Sequence, residues 1–299
     1  MNAEKETDRS ALRNESPAQG PAPKATKTPA QRVTPPVVYR LPRMDEVQVH
    51  ANLKYSDVDN PHLMMDVYTP PNLSVHELRP IVICVPGGAG AQYKPKDWGI
   101  FQSWGRLLAA AGMVSVVFTH RLGYPKPFLS EAAADLNFAI EYIRANANSF
   151  DADPERVCLV AWSAGGALLA TAIRQKPSFI RCLVAIYALL DCQQSPAHIE
   201  NESPASVVAF SPISHIPVDA SSMIPMFIAR AGADEVPAIS DSIGRFVGAA
   251  IGANAPITFM NHPSGEHGFD NQSDDHRSRE IIQSGIAFMR ANLGIPASR

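Results

Sequence analysis

Six short, largely apolar runs recur along the chain, separated by helix-like segments. The clearest is residues 81–85, which Pro86, Gly87 and Gly88 close. An apolar run without polar alternation is typical of a strand buried on both faces of a parallel sheet. The other runs are residues 114–118, 157–161, 182–187, 225–229 and 256–260. Strands that alternate with helices predict an α/β fold, a mostly parallel twisted sheet with helices on both faces.

Two earlier segments, 47–53 and 63–68, predict an antiparallel start to this sheet and bring the expected strand count to eight. The helix-like segments include residues 98–111, a small-residue helix from Ala164 and a last helix over about 273–291. Ser130 is placed to cap another helix, on which three apolar residues share one stripe. Those residues are Leu136, Ile140 and Ile143.

Residues 1–36 are rich in Pro, Ala, Lys and Glu and contain no aromatic residue. Such a segment buries too little apolar surface to offset the entropy lost on ordering, so we expect a disordered tail. Residues 37–299 then form a single catalytic domain, since one α/β core of about 250 residues is common. No internal repeat and no second core is evident.

Composition narrows the class of protein. A net charge of -3 offers no basic excess for phosphates, which argues against a nucleic-acid partner. Four cysteines are present without zinc-site spacing, and three lie in apolar runs, which favours a reduced, cytoplasmic protein. The N-terminus has no signal-peptide core, and no run reaches the ~18 apolar residues of a membrane span. Neither a cofactor nor a metal is expected, and the oligomeric state stays open.

The segment most informative about chemistry is 157–166, where a buried strand leads directly into Ser163 and then into small residues. A nucleophile elbow needs this context, because the strained turn brings strand and helix so close that the residues two places away must be small. Gly165 meets that demand, and Ala161 stands where a first glycine is usual. The alternative is that Ser163 only caps the following helix.

The candidate acid and base follow the serine in the order usual for such a triad, each after a late strand. Asp234 follows the strand at 225–229, and His267 lies in a Gly-rich turn after the strand at 256–260. The carboxyl ends of parallel strands meet at one edge of a sheet, so these side chains can converge on Ser163. His262 competes with His267 as the base. Glu235 and Asp191 compete with Asp234 as the orienting acid.

The Gly-rich loop after the third strand is the candidate oxyanion hole. Small side chains at Gly88 and Ala89 let a backbone amide face a developing negative charge, and the amide of Ala164 supplies the other donor. Such a loop can also cradle phosphate, but no G-K-[ST] follows it.

With these motifs, the chain resembles esterases and lipases of the α/β-hydrolase superfamily, specifically the hormone-sensitive-lipase-like and feruloyl-esterase-like carboxylesterases. The resemblance covers about residues 47–293. It rests on the segments 65–70, 86–90, 120–122, 153–157 and 163–166 together with Asp135, Asp234 and His267. It implies hydrolysis of a small to medium ester through an acyl-enzyme. It also suggests that Asp135 ties down the loop at Arg121, the alternative being an exposed helix charge.

Two departures limit the substrate class. The family's His-Gly-Gly-Gly is Pro86-Gly87-Gly88-Ala89 here, so the histidine that braces the loop is missing. A large helical cap is also not evident, and only residues 191–222 could form a small lid, which argues against long-chain lipase activity. A peptidase or lactonase using the same triad stays an alternative, as does a non-catalytic binding protein with this fold.

Overall fold

The computed structural model describes residues 33–71, 77–123, 128–194 and 202–296. Its centre is an eight-stranded sheet in the order β1-β2-β4-β3-β5-β6-β7-β8. The strands are β1 (Gln48–Lys54), β2 (Met64–Thr69), β3 (Arg79–Val85), β4 (Val114–Phe118), β5 (Ala152–Trp162), β6 (Ile180–Ile186), β7 (Met226–Ala231) and β8 (Ile257–His262). The β1–β2 and β2–β4 pairs are antiparallel and the remaining pairs are parallel. The predicted mostly parallel sheet with an antiparallel start is confirmed.

Helices cover both faces of the sheet. They are α1 (Gly99–Ala110), α2 (Leu129–Ala145), α3 (Leu169–Gln175), α4 (Pro204–Ala209), α5 (Pro237–Gly252), α6 (Phe269–Gln272) and α7 (His276–Asn292). On β3, Ile81, Ile83 and Val85 belong to a core that includes residues of α2, α3 and α5. Val82 and Cys84, which point the other way, belong to a core that includes residues of α1 and α7. Alternate residues of one apolar strand thus serve two cores, as a doubly covered sheet requires.

Some local predictions were wrong. Ser130 does not cap α2, which begins at Leu129, and the amide of Leu129 donates instead to Glu202 Oε1 at 2.8 Å. The chain after the strand at 157–161 starts as a 3-10 helix, Ser163–Leu168, before α3 begins. The last predicted helix, about 273–291, corresponds to α7, which Asp275 caps by accepting from the amide of Ser278, whereas the short α6 before it was not predicted.

The predicted tail, 1–36, falls mainly on residues 1–32, which lie outside the described residues. Its last four residues are described and contact the domain: the carbonyl oxygen of Pro35 accepts from Asn271 Nδ2 at 3.2 Å, and Val33 packs against the core that includes residues of α1 and α7. Of the lid at 191–222, residues 195–201 also lie outside the described part. Within the remainder, α4 and the 3-10 helix Pro212–His215 follow one another, and the 3-10 helix packs against α3.

Candidate active site

Ser163 follows β5 directly and has a left-handed backbone, with φ at 52°. This conformation is strained for a residue with a side chain, and it matches the sharp turn of a nucleophile elbow. A Cβ at Gly165 would collide with the carbonyl oxygens of Val85 and Pro86, so no larger residue fits there. Ala161 is fully buried, and its methyl group is accommodated where a first glycine is usual.

The imidazole of His267 lies between Ser163 and Asp234. Its Nδ1 is 2.9 Å from Asp234 Oδ2, and its Nε2 is 3.1 Å from Ser163 Oγ. A carboxylate only accepts, so Nδ1–H donates to Asp234; Nε2 then accepts from the Ser163 hydroxyl. The Asp234 side chain is almost completely buried, whereas that of His267 keeps partial access to solvent. The structure therefore brings together the serine, histidine and aspartate that the sequence singled out.

The competing candidates lie elsewhere or bind differently. His262 is buried, with Nε2 3.0 Å from Ser278 Oγ and 3.2 Å from Asp275 Oδ1. Glu235 accepts from the backbone amide of His267 at 3.4 Å, not from its ring. Asp191 pairs with Arg245 at 2.7 Å.

Two loops hold Asp234 and His267 side by side. The amide of Gly232 donates to the carbonyl oxygen of His262 at 2.8 Å, and that of Ala233 donates to the carbonyl oxygen of Gly265 at 2.9 Å. Asp234 Oδ1 accepts from the amide of Val236 at 2.8 Å, which fixes the second oxygen of the carboxylate. These hydrogen bonds link the loop after β7 to the loop after β8.

The Gly-rich loop packs against the nucleophile. A Cβ added to Gly87 would lie 2.8 Å from the Cβ of Ser163, so only glycine fits at this approach. Gly88 and Ala164 line the cavity next to Ser163. Ala89 is buried, and its carbonyl oxygen accepts from the amide of Gly123 at 3.0 Å. Of the two predicted positions for the second donor, Gly88 lines this cavity and Ala89 does not.

A histidine that the sequence analysis did not assign to the site braces this loop. His120 is fully buried, and its Nε2 is 3.0 Å from the carbonyl oxygen of Pro86. Its Nδ1 lies 3.2 Å from the amide of Leu122; since the amide donates, Nε2 carries the proton and donates to Pro86. Burial lowers the pKa of His120 from 6.5 to about 4, so the ring is neutral at pH 7. The loop is therefore supported from outside the Gly-rich motif.

The loop that carries His120 is itself fixed by an ion pair. Asp135 on α2 is fully buried, and its carboxylate accepts from the backbone amide of Arg121 at 2.9 Å. The guanidinium of Arg121 donates to the same carboxylate at 2.7 to 3.1 Å. The reading of Asp135 as an exposed helix charge is wrong, and the contact with Arg121 is the one that the family resemblance implied.

A cavity of about 330 Å³ opens beside Ser163 and His267. Its apolar wall includes Trp98, Ile100, Phe101, Leu189, Val236 and Ile239. Val33 also lines it, and no Asp, Glu, Lys or Arg side chain does among the described residues. The described residues of 191–222 do not line it either. The site can therefore take an uncharged, largely apolar group next to the serine.

Within the described ranges, no three or more His, Cys, Asp or Glu side chains are grouped to hold a metal ion. None of the helices that the structure describes combines the length and apolar character needed to cross a membrane. All four cysteines are buried, and none of them forms a disulfide bond.

Comparison with known sequences gives a BD-FAE family match over residues 65–180. Isoprenylcysteine alpha-carbonyl methylesterase ICME of Arabidopsis thaliana is 29% identical over 134 residues, which is 43% of this chain and 28% of that protein. Probable carboxylic ester hydrolase LipM of Mycobacterium tuberculosis is 21% identical, over 69% of this chain and 53% of LipM. The chain thus spans only part of the length of these curated relatives.

Solved structures show the same fold. The esterase Est2 of Thermogutta terrifontis, with propionate bound, aligns with a TM-score of 0.65 at 21% identity and covers 86% of this chain and 98% of its own. Esterase B of Lactobacillus rhamnosis aligns with a TM-score of 0.68 at 14% identity, and the alignment covers 85% of this chain and 88% of esterase B. A truncated carbohydrate esterase from gut microbiota aligns with a TM-score of 0.65 at 18% identity, and the alignment covers 83% of this chain and 96% of that esterase.

Proposed function

We propose that this chain, which has the α/β-hydrolase fold and resembles carboxylesterases of the hormone-sensitive-lipase and feruloyl-esterase types, is a serine carboxylesterase. The observation that carries the proposal is the continuous contact from Asp234 through His267 to Ser163, at 2.9 and 3.1 Å. These are the distances at which a base can take the proton of a nucleophile that it must activate.

In the proposed reaction, Ser163 Oγ attacks the ester carbonyl carbon while its proton moves to His267 Nε2. The carbonyl oxygen becomes an oxyanion, which the amides of Ala164 and Gly88 stabilise by hydrogen bonding. His267 then gives the proton to the departing alkoxide, and an acyl-enzyme forms. Water enters, transfers a proton to His267 and attacks the acyl carbon, and the acid leaves as Ser163 recovers its proton. Asp234 orients the imidazole and stabilises its charged form.

The cavity supports a small to medium, uncharged ester as the substrate class. Its apolar wall and its volume of about 330 Å³ fit a short acyl or aromatic group. Among the residues that the structure describes, no cationic side chain lines it to recognise an acid. The names of the similar proteins agree with ester hydrolysis in general, since they include a methylesterase, a probable carboxylic ester hydrolase and an esterase with propionate bound.

The test replaces Ser163 by Ala and measures hydrolysis of p-nitrophenyl acetate, with Ser130→Ala as the matched control at an exposed serine of α2. By analogy with other triads, turnover of the Ser163 variant should fall by roughly 10³-fold or more. The control should keep wild-type turnover. Equal turnover of wild type and Ser163→Ala would reject the assignment.

Two further measurements separate the alternatives. A fluorophosphonate probe should label wild type at Ser163; folded protein that stays unlabelled would favour a binding protein over an enzyme. Rates on matched p-nitrophenyl esters and p-nitroanilides distinguish an esterase from a peptidase that uses the same triad. Faster cleavage of the anilide would overturn the ester assignment.

A further inference from the structure

A buried carboxylate lies directly behind the site. Asp270, three residues after His267, is fully buried. Its Oδ2 accepts from the indole nitrogen of Trp104 at 2.8 Å and from that of Trp162 at 3.0 Å. Its Oδ1 accepts from the hydroxyl of Tyr187 at 2.6 Å. One carboxylate therefore joins side chains from three distant segments to the loop that carries His267.

All three partners are neutral donors. Within the described part of the chain, no ion pair involves Asp270, so these hydrogen bonds are what offsets the cost of burying the carboxylate. Burial raises the pKa of the Asp270 carboxyl, and the three hydrogen bonds act in the opposite direction. Burial also raises the pKa of Tyr187 well above its usual range, and the nearby Asp270 adds to this, so the tyrosine keeps its proton and donates it.

Two of the three donors lie next to Ser163 or His267. Trp162 is the residue immediately before Ser163, at the end of β5. The ring of Tyr187 lies against the imidazole of His267, with centroids 4.7 Å apart and planes tilted by 57°. Tyr187 also has a strained backbone, with φ at 35°, so its position depends on the contacts that hold it. The hydroxyl bond to Asp270 is one of these contacts.

We propose that Asp270 is a positioning residue for the hydrolysis: through Tyr187 and Trp162 it keeps the imidazole of His267 and the hydroxyl of Ser163 within hydrogen-bonding distance of each other. The inference rests on the proposed function. Asp270 acts through other residues, since its side-chain hydrogen bonds to other described residues go to the three donors and not to Ser163 or His267.

The mildest test is Tyr187→Phe, which keeps the ring against His267 but removes the hydroxyl that fixes it. We expect kcat for p-nitrophenyl acetate, per active site titrated with a fluorophosphonate, to fall about tenfold while KM changes less than about threefold. Counting only titrated sites removes the effect of any unfolded fraction. Asp270→Asn should lose less kcat than Asp270→Ala, because its amide oxygen still accepts from both indoles and its NH₂ group can donate to Tyr187.

Ser278→Ala is the matched control, since it also removes a buried hydroxyl that hydrogen-bonds a side chain, here His262 at 3.0 Å, but lies outside the cavity. It should lower Tm without changing kcat per titrated site. Wild-type kcat in Tyr187→Phe, or an equal loss in Ser278→Ala, would overturn the positioning role while leaving the esterase proposal intact. A wild-type protein that neither hydrolyses the ester nor reacts with the probe would overturn both.

Discussion

At the scale of single residues, His120 braces the Gly-rich loop, which has no histidine of its own. His120 follows β4, and its ring donates to the carbonyl oxygen of Pro86, the first residue of the Gly-rich loop. The ring is fully buried and neutral, so Nε2–H donates to Pro86 and Nδ1 accepts from the amide of Leu122. Protonation of Nδ1 would remove the acceptor for Leu122 and place a charge in a buried site. The contacts that His120 makes are therefore sensitive to acid.

The first prediction concerns that sensitivity. The pKa of His120 is lowered from 6.5 to about 4, so the unfolded chain binds the proton more readily than the folded one between these values. The free energy of unfolding should therefore decrease as the pH falls from about 6.5 towards 4, with a contribution on the order of 2 to 3 kcal/mol at pH 4.5. Urea unfolding of wild type and His120→Gln at pH 7.5 and pH 4.5 measures it.

The glutamine variant can still donate to Pro86 but does not titrate, so its stability should change less than that of wild type between the two pH values. His215→Gln serves as the control, because His215 also bonds a backbone carbonyl, that of Ala209 at 2.8 Å, but is not fully buried. The same pH dependence in wild type and His120→Gln would contradict the prediction.

At the scale of elements, strands could be predicted more reliably than caps. The apolar runs marked the parallel strands because a strand covered on both faces carries no polar alternation. The start of β5 was missed, since Ala152 and Asp153 belong to the sheet through pairing with Arg79 and Pro80 on β3. The N-terminal cap of α2 was predicted wrongly because the amide of Leu129 donates to the side chain of Glu202, which is 73 residues away along the chain. Such partners leave no local pattern.

The second prediction tests how α2 supports the Gly-rich loop. Replacing Asp135 by Leu removes the carboxylate that holds both the amide and the guanidinium of Arg121. Breaking a buried pair costs roughly 3–5 kcal/mol, and since the Arg121 side chain is 27% exposed and can be hydrated, we expect about 2 kcal/mol of destabilisation. Turnover should also fall, because His120 and Gly123 on this loop bond the Gly-rich loop.

Urea unfolding and p-nitrophenyl acetate hydrolysis together check this prediction. Glu155→Gln is the matched control, because it breaks a more exposed pair with Arg144 and should cost less than about 1 kcal/mol with no effect on turnover. If both variants lost the same small amount of stability, α2 would not be bracing the loop through Asp135.

At the scale of the whole molecule, the sequence predicted the three residues that meet at the site but not what surrounds them. Ser163, Asp234 and His267 could be found because the nucleophile-elbow context marks the serine and because the loops after late parallel strands meet at one edge of the sheet. Asp270 could not, since its donors are 83, 108 and 166 residues away along the chain. Composition also gave no sign of the contacts that residues 33–36 make, since these are long-range: the carbonyl oxygen of Pro35 accepts from Asn271 Nδ2, which is 236 residues away along the chain.

That segment gives the last prediction, since Val33 lines the cavity beside Ser163 although the sequence placed it in a tail. A larger side chain there should occupy cavity volume and exclude long acyl groups before short ones, because acetate needs only the space next to the serine. For Val33→Trp, we expect the ratio of kcat/KM for p-nitrophenyl octanoate to that for acetate to fall about tenfold. Val218→Trp, at a fully exposed valine outside the cavity, should keep the wild-type ratio. An unchanged ratio in Val33→Trp would mean that the acyl group binds away from this wall, and that the N-terminal segment does not contribute to substrate selection.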